Sequence, residues 1–130
     1  TVDDGTQITM PVLTVEAGVI TQNAMEFSEK EGLVFATDPT SSWACTVGGN
    51  IAENAGGKKA VMWGTAIDNI ISYKIAMPGG KLITVKRNNH PLRKILPEDT
   101  VSFSLFDEKG KQIKDISLKG TEIRKICSCI

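Results

Sequence analysis

The sequence is poor in residues that carry chemistry unaided. Its 130 residues hold a single histidine, His90, so no Ser-His-Asp or Cys-His arrangement has a choice of imidazoles. His90 stands before Pro91 in the polar run Asn88-Asn89-His90-Pro91, which reads as a surface turn rather than a catalytic base. There are three cysteines, Cys45, Cys127 and Cys129. An odd count argues against a disulfide framework and points to a reducing, cytoplasmic compartment. The pair Cys127-Ser-Cys129 is two thiols short of a zinc or iron–sulfur site and reads as free thiols. No acids and histidine fall at a metal spacing, so no metal is expected. Aromatics make up 5% of the chain. Trp63 has no aromatic neighbour with which to build a base-stacking platform, so it is expected in the core or at a rim. Charge of one sign is also missing: fifteen basic residues cancel fifteen acidic ones. That gives no reason to propose nucleic acid or a membrane surface as partner. The apolar runs are too short for a transmembrane segment. Thr1-Val-Asp-Asp-Gly5 has neither the basic start nor the apolar stretch of a signal peptide. It also lacks an initiating Met, which points to a piece cut from a longer protein.

What is present is apolar content of 41%, enough for a core in a chain whose length argues for one domain. Glycine is concentrated too. The stretch 38–57 holds Gly48, Gly49, Gly56 and Gly57, four of the twelve. Pro39 fixes its own φ and pushes Asp38 toward an extended shape. Gly48 and Gly49 have no Cβ to keep a ligand from the backbone. Ile51, Ala52 and Ala55 recur at helical spacing, and Gly56-Gly57 ends the turn. The stretch therefore reads as a loop, then one or two helical turns with free N–H groups at their start, then a loop. Such a start suits a phosphate or carbonyl-rich ligand, although a glycine-rich connection that binds nothing has the same pattern. Glu53 reads as a cap or a solvated residue. In Lys58-Lys59 a solvated turn outweighs a phosphate contact.

Around this stretch the patterning predicts an α+β fold. Leu13 to Ala17 alternates and reads as a strand. A helix is expected from about 20 to 31, with Thr21 as N-cap, Ile20, Ala24 and Phe27 inward, and Gly32 just past its end. Leu33 to Ala36 reads as a short strand or extended run. Alternation at 71–77, 82–86, 101–105 and 112–118 predicts strands of one antiparallel sheet, covered by that helix. Pro78-Gly79-Gly80 and Asp107-Glu-Lys-Gly110 supply turns.

Three elements in order resemble a known family: Asp38-Pro-Thr-Ser-Ser42, Thr46-Val-Gly-Gly-Asn-Ile-Ala-Glu-Asn-Ala-Gly-Gly57 and Trp63-Gly-Thr-Ala-Ile-Asp-Asn69. They resemble the FAD-linked oxidases, which include glycolate oxidase flavoprotein subunits and D-lactate dehydrogenases. Their FAD-binding domain is of the vanillyl-alcohol-oxidase (PCMH) type. The resemblance runs from about Leu13 to Val85 and implies the second subdomain of such a domain. It also implies FAD as cofactor and hydride transfer from a 2-hydroxy acid to the flavin. By this resemblance Pro39, Thr40, Ser41, Thr46, Gly48, Gly49, Asn50, Asn54 and Gly56 are the candidate FAD contacts. Cys45 is expected as a small buried thiol rather than a point of covalent flavin attachment.

The same resemblance implies what is not here. The family's pyrophosphate loop would precede Thr1, and its substrate domain would follow Ile130. Where the family carries a glycine-rich segment, this chain has His90-Pro-Leu-Arg-Lys-Ile-Leu-Pro97 and Lys119-Gly-Thr-Glu-Ile-Arg124. That resembles a subgroup of long bacterial FAD-linked oxidases that also carry iron–sulfur segments. The ending Ile126-Cys-Ser-Cys-Ile130 matches nothing in the family. Two readings stand: a partial FAD-binding domain whose partners are the remaining domains of a parent enzyme, an iron–sulfur electron-transfer domain among them, or a non-catalytic domain of the same fold acting as a partner-binding subunit.

Overall fold

The structure, a computed structural model, describes residues 5–127. The sequence ending at Cys129 therefore lies outside the described residues, and of Cys127 only the backbone is described. The fold is α+β, with a four-stranded antiparallel sheet and a few short helices. The one domain expected from length is internally divided into two compact units. One is Thr9–Asn69; the other takes Ile70 onward together with the described residues up to Ile8.

The Thr9–Asn69 unit carries helices α1 (Thr21–Lys30), α2 (Val47–Ala52), α3 (Ala60–Trp63) and α4 (Ala66–Asn69). The strand expected at Leu13–Ala17 does not form. Its alternation survives in burial only in part: Leu13 and Val15 are half-buried and Thr14 and Glu16 exposed, but Ala17, expected inward with them, is exposed. A strand, however, needs a neighbouring ladder, and this segment has none. Leu33–Ala36 likewise forms no strand, and the chain bends at Ala36. Helix α1 starts where the pattern places it, but Thr21 is not its cap. Ile20 takes that position without a side-chain bond, and Thr21 lies inside the helix, wholly buried. Ala24 faces inward as expected; Phe27 is more than half exposed. Gly32 closes the helix as predicted, with φ of 72°. Its N–H donates to Glu29 O and that of Leu33 to Ser28 O, the paired bonds of a Schellman ending. At α4, Asp68 reaches back to accept from the backbone N–H of Thr65 at 2.8 Å. That is a capping box built with Asp.

The second unit is a meander of strands β1 (Ser72–Ala76), β2 (Leu82–Arg87), β3 (Thr100–Phe106) and β4 (Gln112–Lys119), in spatial order β1-β2-β3-β4. All four strands fall where the alternation predicts them. The register Tyr73↔Val85, Val85↔Leu105, Phe103↔Ile116 and Val101↔Leu118 puts the apolar side chains on one face. Lys74, Lys86, Ser102, Ser104, Asp115 and Ser117 share the other face, where the Ser104 hydroxyl donates to Asp115. A one-residue slip would exchange the two faces, so the register is strongly specified. Val85, Val101, Ile95 and Ile123 are this unit's most buried apolar residues. The helix expected to cover the sheet, α1, belongs to the other unit. The sheet unit instead has its own helix, α5 (Gly120–Cys127), which the sequence reading missed. Its signal was Glu122, whose carboxylate reaches back to accept from the N–H of Lys119 at 2.8 Å, the carboxylate half of a capping box.

The connection from β2 to β3 is tied by polar groups. His90 Nδ1 accepts from the N–H of Leu92, a residue held at φ of 58°, so the histidine organises a turn as its sequence context implies. Arg93 grips Asp99 with both terminal nitrogens, at 2.6 and 2.9 Å. Asp99 also accepts from the Leu96 N–H at 2.7 Å. The Arg93 hydrogen bonds, helped by that N–H, hold the Asp99 carboxyl well below the ordinary range, at about 2. A carboxyl depressed by folding stabilises the fold above its unfolded value, near pH 4, and loses that contribution as pH falls toward 2. With Arg93 partly in solvent, the contribution is about 1 kcal/mol. Asp99→Asn should therefore lower stability by that amount at pH 7 and by almost nothing at pH 2. Urea unfolding at the two pH values checks this, and an equal loss at both would refute it.

Candidate functional site

The glycine-rich stretch folds against the start of α1. Pro39 opens a turn in which the Ser42 N–H donates to Pro39 O, and the N–H groups of Ala44 and Cys45 both donate to Ser41 O. The turn is stitched to α1 by the N–H of Thr21 to Cys45 O at 2.9 Å and that of Gln22 to Ser42 O at 3.0 Å. Ile20 and Thr46 form an isolated antiparallel bridge. Thr46 then caps α2, its hydroxyl accepting from the Gly49 N–H at 3.1 Å.

Helix α2 begins earlier than its apolar spacing predicts, and this changes its use. Gly48 and Gly49 lie within the helix, whereas Ala55 lies beyond it. The free N–H groups expected at its start are not free. The Val47 N–H donates to Val19 O and the Gly48 N–H to Ala17 O, each at 2.9 Å, and Gly49 is taken by Thr46. A helix start whose donors are satisfied internally has little left for a phosphate. Gly48 is accordingly a packing glycine. A Cβ there would lie 2.7 Å from Ala17 Cβ and 3.0 Å from Ala17 O. Gly57 has a similar role, since a Cβ on it would overlap the Asp38 carbonyl.

An open groove of about 450 Å³ runs beside this assembly, lined by Pro39, Ser41, Ala44, Cys45, Thr46, Gly49, Asn50, Glu53 and Ala55. Five of the nine expected contact residues therefore meet at one place: Pro39, Ser41, Thr46, Gly49 and Asn50. The other four do not line it. Thr40 sits exposed in the turn, and Gly48 packs on Ala17. Asn54 adopts φ of 48° and its Oδ1 accepts from the Ile67 N–H at 2.9 Å. A Cβ on Gly56 would touch Thr65 and Ala60 side chains. Cys45 is half-buried and lines the groove, rather than being a core thiol; its S–H donates to Thr21 Oγ1 at 3.3 Å. Ala44, Cys45, Glu53 and Ala55 were not expected as liners. Only their position between the matched motifs could have found them.

Lys59 lies 3.9 Å from Asp38 and donates to Phe35 O at 3.5 Å, so it ties down the loop entry. Trp63 is 44% exposed, and Trp43, Val61 and Met62 stand further out still. Among the described residues no group of His, Cys, Asp and Glu could hold a metal ion. No helix among them is long and apolar enough to cross a membrane.

The groove offers small side chains, one bare stretch of backbone at Gly49, and a few polar atoms. Among the described residues the Ser41 hydroxyl makes no hydrogen bond. Among the described residues Glu53 is the only charged liner. This is a surface for holding a ligand that brings its own reactivity. It fits part of FAD: a flat ring or sugar chain can approach closely where side chains are small. It does not supply helix-end donors for the pyrophosphate.

Comparison with known proteins points to the same cofactor. A family described as FAD binding domain matches residues 6–86, well over half the chain. The chain belongs to this family, and FAD is its cofactor. Among curated relatives it is 36% identical over 72 residues to a D-lactate dehydrogenase of Anaerostipes hadrus, a match covering 55% of this chain and 15% of that protein. It is 37% identical over 70 residues to the glycolate oxidase subunit GlcD of Bacillus subtilis, covering 54% and 15%. It is 32% identical over 71 residues to a D-2-hydroxyglutarate dehydrogenase of Xanthomonas citri, covering 55% and 15%. The chain thus spans about 15% of the length of these relatives. No solved structure matches it.

The two adjacent glycines of α2 should behave differently. Gly48→Ala forces its Cβ against the Cβ and carbonyl oxygen of Ala17 and should cost about 1–3 kcal/mol. Gly49→Ala meets only the Thr46 hydroxyl, at 3.2 Å. There the gain of up to about 1 kcal/mol in helix propensity offsets the crowding of the cap. Thermal unfolding of both variants checks the contrast; equal midpoints would contradict the packing assigned to Gly48.

Proposed function

We propose that this chain is the FAD-binding segment of an oxidoreductase that oxidises a 2-hydroxy acid. What carries the proposal is the coincidence of the groove with the family motif: Pro39, Ser41, Thr46, Gly49 and Asn50, dispersed over twelve positions, line one hollow. The relatives' names supply the substrate class, since lactate, glycolate and 2-hydroxyglutarate are all 2-hydroxy acids. In this reading those five residues hold FAD, while Thr40, Gly48, Asn54 and Gly56 set the backbone on which they stand. Bound flavin supplies a two-electron acceptor. The chain's own part is to bind it, orient it and keep small side chains against it. Glu53 places a negative charge in the groove, which disfavours the pyrophosphate there and favours the uncharged part of the cofactor. The pyrophosphate donors, the substrate pocket and the onward electron carrier, an iron–sulfur domain by the family likeness, then belong to the remaining domains of the parent enzyme.

Two measurements follow. Anaerobic mixing of the FAD-loaded parent enzyme with D-lactate, glycolate or D-2-hydroxyglutarate should bleach the flavin with at least one of them. Bleaching by none would defeat the substrate class. Calorimetric titration of the 130-residue chain with FAD should show weak binding. Each missing charge-assisted bond to the pyrophosphate removes roughly 1.5–3 kcal/mol, so a few of them amount to about three decades of affinity. A submicromolar dissociation constant would show instead that these residues hold a complete site.

A further inference from the structure

Thr21 lies outside the matched motifs and does not line the groove, yet its hydroxyl is a well-connected polar group beneath it. It is fully buried. A threonine hydroxyl has one proton to give and two lone pairs, and here all three are used. Oγ1 donates to Cys45 O at 3.1 Å. It accepts from Asn50 Nδ2 at 2.7 Å and from Cys45 Sγ at 3.3 Å. Both partners line the groove.

The direction of these bonds has a consequence for Asn50. Because the Thr21 proton is committed to a carbonyl, which can only accept, its oxygen is left to accept. The Asn50 amide must therefore turn its NH₂ group toward Thr21. Asn50 is itself 4% exposed, so it is the bond to Thr21 that decides which way its amide lies. Its remaining polar atom, Oδ1, makes no hydrogen bond among the described residues. The groove accordingly receives an acceptor from Asn50, and the ligand facing it must bring an N–H or O–H. FAD has such donors in the imide N–H of its ring and the hydroxyls of its ribityl chain.

We propose that Thr21 is a positioning residue for the flavin groove: it sets the polarity of Asn50, so that the amide oxygen, not the amine, meets the cofactor. This rests on the reading of the groove as an FAD site.

The test uses the FAD-loaded parent enzyme. Thr21→Val keeps the shape and loses all three hydrogen bonds, freeing the Asn50 amide to turn. Thr21→Ser keeps all three. Thr21→Val should weaken FAD binding about tenfold or more, the scale of one buried hydrogen bond left unmade, and should change the visible circular dichroism of the bound flavin. Thr21→Ser should restore both. A role confined to stability would lower the melting midpoint of Thr21→Val and leave the flavin spectrum and affinity of the folded fraction unchanged; that result overturns the proposal. Should Thr21→Val not fold, Asn50→Ala decides. It removes the acceptor while the Thr21 bond to Cys45 O remains, and wild-type FAD affinity and spectrum in that variant would overturn the proposal as well. Failure of the wild-type protein to bind FAD at all would instead strike the underlying reading of the groove.

Discussion

The Thr9–Asn69 unit depends on one arrangement of backbone hydrogen bonds. The carbonyls of Ala17 and Val19 accept the first two N–H groups of α2, and the Cys45 carbonyl accepts from both the backbone and the hydroxyl of Thr21. Two segments more than twenty residues apart are thereby fastened along a single seam, although neither forms a sheet strand. Buried peptide groups must find partners somewhere. Here, where pairing is limited to the single Ile20–Thr46 bridge, a helix start and a turn serve as the partners. Gly48 follows from that seam, because only a residue without a Cβ lets α2 approach Ala17 closely enough for its N–H to reach.

The seam also decides what the groove can be. A glycine-rich helix start is ordinarily read as an anion site, and the sequence invites that reading. In the folded chain the dipole end of α2 is already committed to protein carbonyls, so the neighbouring hollow is left with small side chains, Ser41, Asn50 and Glu53. Such a surface suits a neutral, planar or polyhydroxylated part of a ligand better than a phosphate. Membership in a family of FAD binding domains, which rests on residues 6–86, is consistent with a cofactor whose charged and uncharged parts are held by different elements.

The sheet was legible because its information is local. Alternation at Tyr73, Ile75, Val85, Val101, Phe103 and Ile116 states which face is buried, and turns at Pro78 and Asp107 set the hairpins. The groove was legible only in part. Five expected residues line it, but the motif does not separate residues that line the groove from residues that support the backbone. Gly48, Asn54 and Gly56 fall in the second group, and the partners that place them there, Ala17, Ile67 and Thr65, are distant in sequence. Periodicity also misjudged Leu13–Ala17, where alternation came from lying on an apolar surface without a ladder. It missed α5 as well, whose start is marked by a carboxylate reaching back to Lys119 rather than by an apolar stripe.

The meander topology sets a different kind of order, in time. Each ladder joins strands adjacent in sequence, β1 with β2, β2 with β3 and β3 with β4. Contacts so near along the chain close short loops and form early. The bonds that fasten Thr21 to Cys45 and Asn50 span 24 and 29 residues. They close larger loops with no hairpin to guide them. The sheet is therefore the part expected to organise first during folding, and the groove the part completed late. A chain caught between those stages would possess nearly all its strand structure and none of its capacity to hold a cofactor.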